Sequence, residues 1–237
     1  AALIIQGQHD TGGWNYNLNS VMEKGAIRND TSYMAWCVQA LKAAKVANLN
    51  VSGLDRALEK AILGFKNNAD PLGGFGYTEP IGGALTGAGV LSMQLLGAAK
   101  DPDTKRGLQV LESRTVHWNE GSEGRPLYHW YYETQAKFHE GKGAWIRWNR
   151  LLAPTLTANQ FVEAKKYTWK GELKEIGYWL SPSELERTHG LVYSTTLCTL
   201  MLQVYYRYLP TYKKPEEISV KTDSIGAEAE EIKIEIF

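Results

Sequence analysis

Long runs of small and apolar residues recur along the chain and dominate its hydrophobic pattern. They begin at Asp30, Gly82, Pro126 and Thr188. Within these runs, apolar residues return at spacings of three and four, which is the period of a helix. Because the runs are apolar on most sides, the pattern predicts inner, well-buried helices. Asp30 is placed to cap the first of them, since its carboxylate can accept hydrogen bonds from free backbone N–H groups.

Amphipathic segments alternate with these runs. Ser52–Asn68, Asp101–Arg114 and Gly141–Phe161 each carry apolar residues on one helical face and polar residues on the other. Pro154 lies inside the last segment, where it is expected to kink or end the helix. The segments are therefore predicted to be outer helices that pair with the inner ones.

Turns rich in glycine and aromatic residues connect outer to inner helices. Their sequences are TGGWNY (11–16), LGGFGY (72–77) and, more weakly, EIGYW (175–179). The repeat length of about 50–60 residues suits a unit of two helices. In the first turn, Gly12 and Gly13 permit positive φ, Trp14 can stack on a neighbouring helix end, and Gln8 can bond a free terminal peptide group. These four residues are interpreted as structural.

The predicted fold is all-α, an array of helical hairpins over residues 1–212. Strand signals are nearly absent until the end of the chain. There, the segments EISVKTD and EEIKIEIF alternate apolar and polar residues with a period of two. The acidic tail at 213–237 is expected to be either a β-hairpin or a linker.

The spacing Gln8-x3-Gly12-x-Trp14 matches the core of the QW repeat of squalene and terpene cyclases. Over residues 1–212 the chain resembles the prenyltransferase and squalene oxidase repeat group, including its bacterial members. That resemblance implies an α/α-toroid, a double ring of helices. A full toroid has about twelve helices and the pattern here predicts about eight, so the ring is either incomplete or preceded by further helices.

The resemblance also bears on catalysis. The initiating acid of such cyclases lies in a DxDDT motif, and the nearest match is IRNDTS at 27–32. Only Asp30 and Thr31 fit, since Ile27 and Asn29 stand at the earlier acidic positions. Related protein prenyltransferases hold zinc with Asp, Cys and His, but no Asp-x-Cys occurs here. No metal and no cofactor are therefore predicted.

Charge and composition narrow the partners. Lys+Arg and Asp+Glu are both 26, so no net field attracts nucleic acid or an anionic membrane. No run of about 18 apolar residues predicts a membrane span. Cys37 and Cys198 lie in separate apolar runs and are expected to be buried thiols. The compartment stays open, with export or the periplasm among the alternatives.

The run beginning at Pro126 carries the candidate chemistry. His129, Tyr132 and Glu133 share one helical face by spacing. His beside Glu could act as an acid/base pair if the face opens onto a cavity. The alternative is a buried hydrogen-bonded network. Asp30 completes the set of catalytic candidates.

Aromatic residues are concentrated on the predicted inner helices. Ring faces could grip an isoprenoid chain or stabilise a cation, although aromatics at helical spacing also build cores. Glu79 and His189 precede inner helices and could line the same mouth. The candidate ligand-binding residues are Tyr33, Trp36, Glu79, Tyr128, Tyr132, His189 and Tyr193.

The leading hypothesis for function is a cyclase-like toroid whose aromatic central cavity binds an apolar, isoprenoid-like molecule. If it were an enzyme, it would be a cyclase-like isomerase or lyase. A second hypothesis is a non-catalytic interaction domain of a larger bacterial protein, with a protein partner or a further domain. A third is a glycan-active α/α barrel, which needs paired carboxylates; the candidates are Asp10, Asp30, Glu79 and Glu133.

Overall fold

The computed structural model describes residues 1–16, 28–119, 121, 124–167 and 170–204, without the side chains of 165–167. The acidic tail predicted at 213–237, together with Tyr205 and Tyr206, lies outside the described residues. The described part is mostly helical, with 57% of residues in helices and 6% in strands. The prediction of a mainly helical fold is therefore confirmed, but the structure also contains a small two-stranded sheet that was not predicted.

Nine helices and two strands are formed by the described residues. They are α1 (Ala2–Gln6), α2 (Thr31–Val46), α3 (Leu54–Lys66), α4 (Thr86–Leu95), α5 (Pro102–Glu112), α6 (Pro126–Glu140), α7 (Lys142–Ala158), β1 (Phe161–Tyr167), β2 (Leu173–Tyr178), α8 (Glu184–Arg187) and α9 (Gly190–Gln203).

The helices lie close to the predicted segments. Asp30 caps α2, and its side chain accepts a hydrogen bond from the Tyr33 backbone N–H at 3.0 Å. Helix α7 continues beyond Pro154 to Ala158, so this proline does not end the helix.

The sequence EIGYW is not a glycine turn, so that interpretation was wrong. Its first four residues belong to β2, which pairs antiparallel with β1. Gly177 pairs with Val162 as an ordinary strand residue. Phe161 stacks on Tyr178 with ring centroids 5.5 Å apart, which ties the open end of the hairpin together. These residues therefore pair with the preceding strand β1 instead of forming a local turn.

Helices α2, α4, α6 and α9 form a row in which each contacts the next, and we name it the inner row. Helix α3 packs on α2, α5 on α4 and α7 on α6, so these three are the outer helices. All ten residues of α4 are buried. Its composition, TGAGVLSMQL, explains this position, because small residues let neighbouring helices approach from several sides.

The first two glycine turns repeat the same backbone hydrogen bonds. The His9 N–H donates to the Gly13 carbonyl at 2.9 Å, and at the equivalent place the Asp70 N–H donates to the Gly74 carbonyl at 3.0 Å. The repeat seen in the sequence is therefore a repeat of backbone geometry.

The equivalence continues into the next helix of each unit. The Trp14 carbonyl accepts from the Asp30 N–H, and the Phe75 carbonyl accepts from the Leu85 N–H, both at 2.9 Å. Asp30 and Leu85 are the N-cap residues of α2 and α4. Each turn therefore sets the starting point of its inner helix.

Glycine is required where the first turn lies against an outer helix. Gly12 has φ of 92°, and a Cβ there would overlap the Lys60 carbonyl oxygen and lie 2.9 Å from the Gly64 nitrogen. In the second turn, a Cβ on Gly73 would lie 3.5 Å from the Arg106 carbonyl oxygen. The backbones of turn and helix are in direct contact, which locks one unit onto the next.

Aromatic residues anchor the turns. The indole N–H of Trp14, which is fully buried, donates to the Ile4 carbonyl of α1 at 2.6 Å. Trp179 makes the same kind of bond to the Leu156 carbonyl of α7 at 2.7 Å. Although EIGYW is a strand, Trp179 at its end still satisfies a carbonyl near the end of the preceding helix.

Gln8 joins the turn to the following outer helix. Its side-chain amide donates to the Gly12 carbonyl and to the Ala57 carbonyl of α3, both at 2.9 Å. The Ala57 carbonyl lies within α3, whereas a terminal peptide group was expected. Gln8 thus acts between units of the repeat.

Cys37 and Cys198 are free and buried. Burial raises the pKa of the Cys37 thiol to about 12 and raises the pKa of the Cys198 thiol as well. Both therefore remain protonated and pack as small apolar residues. None of the described helices is long and apolar enough to cross a bilayer.

Substitution of Gly12 by Ala tests the backbone contact. We expect Gly12→Ala to lower the free energy of unfolding by about 3 kcal/mol or more, because the methyl group would overlap a helix carbonyl in addition to the cost of positive φ. The measurement is urea unfolding followed by circular dichroism.

Gly97→Ala is the matched control. Gly97 has a similar φ of 82°, and a Cβ there meets nothing within 4 Å. Only the cost of positive φ for alanine remains, so the free energy of unfolding should fall by about 1 kcal/mol. Equal losses in the two variants would show that the turn is not held by contact with α3.

Candidate functional site

Helix α6 carries the candidate chemistry on two faces. Pro126, His129, Trp130 and Glu133 share one face, and they line a pocket. Tyr128, Tyr131 and Tyr132 lie beside them, toward α2. Helical spacing predicts Tyr132 on the face of His129 and Glu133, but in the structure these residues are divided between two surfaces.

The pocket lies between the first turns of α6 and the segment that precedes them. Its volume is about 200 Å³, and Arg114, Thr115, Gly124 and Arg125 complete its lining. The Glu133 side chain is buried, and its Oε1 lies 4.0 Å from the Arg114 Nε. The lining contains a single carboxylate, Glu133, so it does not supply the carboxylate pair of a glycosidase.

Burial governs the ionisation of both predicted catalytic residues on α6. It raises the pKa of the Glu133 carboxyl to about 7, against the opposing charges of Arg114 and Lys137. Burial also lowers the pKa of His129, and the charges of Arg114 and Arg125 lower it further. Near neutral pH, Glu133 therefore populates both its protonated and its ionised form, while His129 is mostly neutral.

A buried carboxylate from elsewhere in the chain caps α6. Glu186 is fully buried and accepts hydrogen bonds from the backbone N–H groups of Leu127 at 3.2 Å and Tyr128 at 2.9 Å. The Ser181 hydroxyl donates to the same carboxylate at 2.6 Å. Because α6 has no side-chain cap of its own, Glu186 satisfies its free N–H groups and fixes its first turn.

An aromatic cluster bridges α2 and α6. Trp36, 47% exposed, stacks on Tyr131 with ring centroids 6.0 Å apart and meets Tyr132 edge-on at 5.9 Å. Tyr128 lies 5.0 Å from Tyr132. We name these four residues the aromatic wall. The buried hydroxyls of Tyr128 and Tyr132 make no well-formed hydrogen bond to any described residue.

Asp30 lies next to this wall but is committed to structural hydrogen bonds. Besides the Tyr33 N–H, its carboxylate accepts from the Ser32 hydroxyl at 2.5 Å. A hydrogen bond to Asp30, together with burial, raises the pKa of Tyr77 to about 12. Asp30 is therefore a satisfied helix cap, and the three predicted catalytic residues are not gathered in one pocket.

The remaining candidates are dispersed. Tyr33 packs against Tyr16 at 4.9 Å, and Glu79 is exposed on the loop before α4. His189 is exposed and lies 5.0 Å from the Tyr193 ring. The Tyr193 hydroxyl donates a hydrogen bond to the Glu186 carboxylate at 3.3 Å. Of these, Tyr193 is tied to α6 through the Glu186 cap.

Sequence reasoning missed Arg114, Arg125 and Glu186. Arg114 carries no motif, and only the tertiary structure brings it to Glu133. Arg125 precedes His129 by four residues and Glu133 by eight, so helical spacing could have placed it on their face. Glu186 does have a local signal: with Ser183 it forms Ser-x-x-Glu, the pattern of a capping box. That pattern would have assigned Glu186 to its own helix α8, where Ser183 makes no capping hydrogen bond.

No group of three His, Cys, Asp or Glu side chains within the described ranges could hold a metal ion. Comparison with known proteins finds no match for this chain among family models, curated proteins or solved structures. The function is therefore argued from the site alone.

Removal of the Glu186 charge tests the cap on α6. We expect Glu186→Gln to lower the free energy of unfolding by about 2 to 3 kcal/mol, because an amide cannot accept all of these buried hydrogen bonds. Urea unfolding measures the effect. Glu184→Gln, an exposed change in the same helix α8, should alter stability by less than about 0.5 kcal/mol. Similar values for both would contradict the assignment.

Glu133 should make stability fall as pH rises. The pKa of its carboxyl is about 7 in the folded protein, against 4.5 for a glutamate in the unfolded chain, so the unfolded chain binds fewer protons between these pH values. Unfolding therefore becomes easier from about pH 4.5 to about pH 7, by at most on the order of 3 kcal/mol. Relative to Glu133→Gln, which does not titrate, the parent should lose stability over this range. A constant difference between the two would disprove the assignment.

Proposed function

We propose that this chain is part of an α/α-toroid-like repeat domain that holds an apolar, isoprenoid-like molecule against the aromatic wall of its inner row. The observation that carries the proposal is the half-exposed Trp36, whose ring packs on buried tyrosines of a different helix. Binding without chemical conversion is the role proposed for this surface.

The geometry of the wall supports an apolar ligand. A large ring that keeps about half its surface accessible while its orientation is fixed offers contact area at low entropic cost. Tyr131 and Tyr132, which orient Trp36, are 3% and 1% exposed. The ligand would thus add to an existing aromatic stack without having to order it first.

The repeated units support the toroid-like arrangement. The glycine turns share a hydrogen-bond register, and the inner helices follow one another in a continuous row. Repeats of this kind bury a common core and leave an extended surface along one side. Such a surface is where we place the ligand.

Cyclase-type proton donation is not part of the proposal. Asp30 is engaged by Ser32 and by the N-terminus of α2. Asn29, at a position where the cyclase motif has an acid, is buried, accepts from the Thr11 hydroxyl at 2.8 Å and donates to the Gly64 carbonyl at 3.4 Å. An amide in this role joins turn and helix, and it cannot protonate an alkene.

The test is binding of geraniol, a short isoprenoid alcohol that is sparingly soluble in water, measured by calorimetry. Native mass spectrometry checks for a co-purified lipid. Trp36→Ala should weaken binding by about 5- to 30-fold, as expected for loss of one ring worth about 1–2 kcal/mol. Phe161→Ala is the matched control, because Phe161 is also 47% exposed but lies on the β-hairpin.

Loss of binding specific to Trp36→Ala would support the proposal. Absence of geraniol binding together with absence of a retained lipid would reject it, as would equal weakening in both variants.

The β-hairpin favours a second candidate function, that of an interaction domain. Apolar side chains are exposed on both of its strands: Phe161, Val162, Leu173 and Ile176. Two-stranded hairpins are marginal by themselves, and exposed apolar patches often mark partner-binding surfaces. Under this alternative the hairpin, and not the aromatic wall, would be the functional surface.

A further inference from the structure

We propose that the pocket beside α6 is a binding site for a small monocarboxylate with an apolar body, held by the guanidinium groups of Arg114 and Arg125. The site is separate from the aromatic wall and does not depend on the function proposed for that wall. It uses the face of α6 that carries His129, Trp130 and Glu133.

The positive charge of the pocket comes from side chains alone. Both arginines line it, and the buried N–H groups at the start of α6 are already taken by Glu186. Arg114 is 50% exposed, and its Nε is 4.0 Å from the Glu133 carboxylate, which is too far for a hydrogen bond. Its donors can therefore serve a ligand, and the planar guanidinium fork matches a carboxylate.

The apolar residues of the pocket lining indicate that the rest of the ligand is apolar. Trp130 and Pro126 form one wall, and Trp130 is supported by the Trp118 ring at 6.1 Å. A volume of about 200 Å³ suits a small ring or short chain attached to the carboxylate. A hydrated inorganic anion would leave this wall without a contact, so we assign a carboxylic acid.

Glu133 is the polar group aimed into the site. It is 5% exposed and makes no hydrogen bond to a described residue. When protonated, it can donate its proton to a carboxylate oxygen of the ligand, so two carboxyl groups share one proton.

Two charged groups, Arg114 and Lys137, act on Glu133, and the mostly neutral His129 lies beside it in the lining. Helix α4 packs against Glu133 at Gly87, and Thr86–Leu95 contains no titratable side chain. Burial raises the pKa of Glu133 to about 7. A bound anion favours the protonated form, so binding should take up a proton and weaken as pH rises through 7.

Benzoate is the probe, and calorimetry of the full chain at pH 6 and pH 8 is the measurement. We expect benzoate to bind more tightly at pH 6, where it is still ionised. Arg114→Gln and Arg125→Gln should each weaken binding by about 5- to 20-fold, the loss expected for one charge-assisted contact. Arg56→Gln, an exposed change on α3, is the control and should bind as the parent does.

Glu133→Gln separates proton linkage from simple charge attraction. The amide keeps a donor but cannot titrate, so its benzoate affinity should be nearly the same at pH 6 and pH 8. Arg125 is exposed, so the Arg125→Gln variant should fold. It therefore decides the outcome even if the buried substitution Glu133→Gln prevents folding. Circular dichroism checks the fold of each variant.

Three results would overturn the assignment. They are absence of benzoate binding at both pH values, parent-like binding in Arg125→Gln, and binding of inorganic phosphate as tight as that of benzoate. The last would mean that the apolar wall contributes nothing. A pH dependence that persists in Glu133→Gln would reject the shared proton.

Discussion

Close approach of backbones without intervening side chains is the constraint on which this structure depends. Gly12 and Gly64 let the first turn lie directly on α3. Gly87 lets α6 approach closely within the inner row, where a Cβ would lie 3.1 Å from the Glu133 backbone nitrogen and 2.9 Å from the Glu133 Cγ. This contact lets α6, which carries residues of both candidate surfaces, pack closely on α4.

Helix α6 is shared by the two surfaces because its faces have different neighbours. Tyr131 and Tyr132 meet Trp36, whereas Glu133 faces Arg114. Glu186 fixes the first turn of the helix from a distant part of the chain. Helix α6 thus contributes residues to both the aromatic wall and the charged pocket. The aromatic residues and the ionic residues lie on different faces of the helix.

Much of the fold could be predicted because helical periodicity and capping act within a few residues. Asp30 was identified as a cap, and the inner and outer helices were found near their true bounds. The candidate site was less predictable. His129 and Glu133 do line one pocket, but Asp30 lies elsewhere, and Arg114 had no local signal. The hairpin was missed because EIGYW resembles a turn and only pairing with β1 makes it a strand.

The sequence by itself determined the helices and the first two glycine turns, since each depends on the conformational preferences of neighbouring residues. The tertiary structure decided which charges meet. Ser183 and Glu186 have the local pattern of a capping box, yet the Glu186 carboxylate binds the free N–H groups of α6. A buried carboxylate must find several donors, and the uncapped end of α6 offered them where the chain folds back.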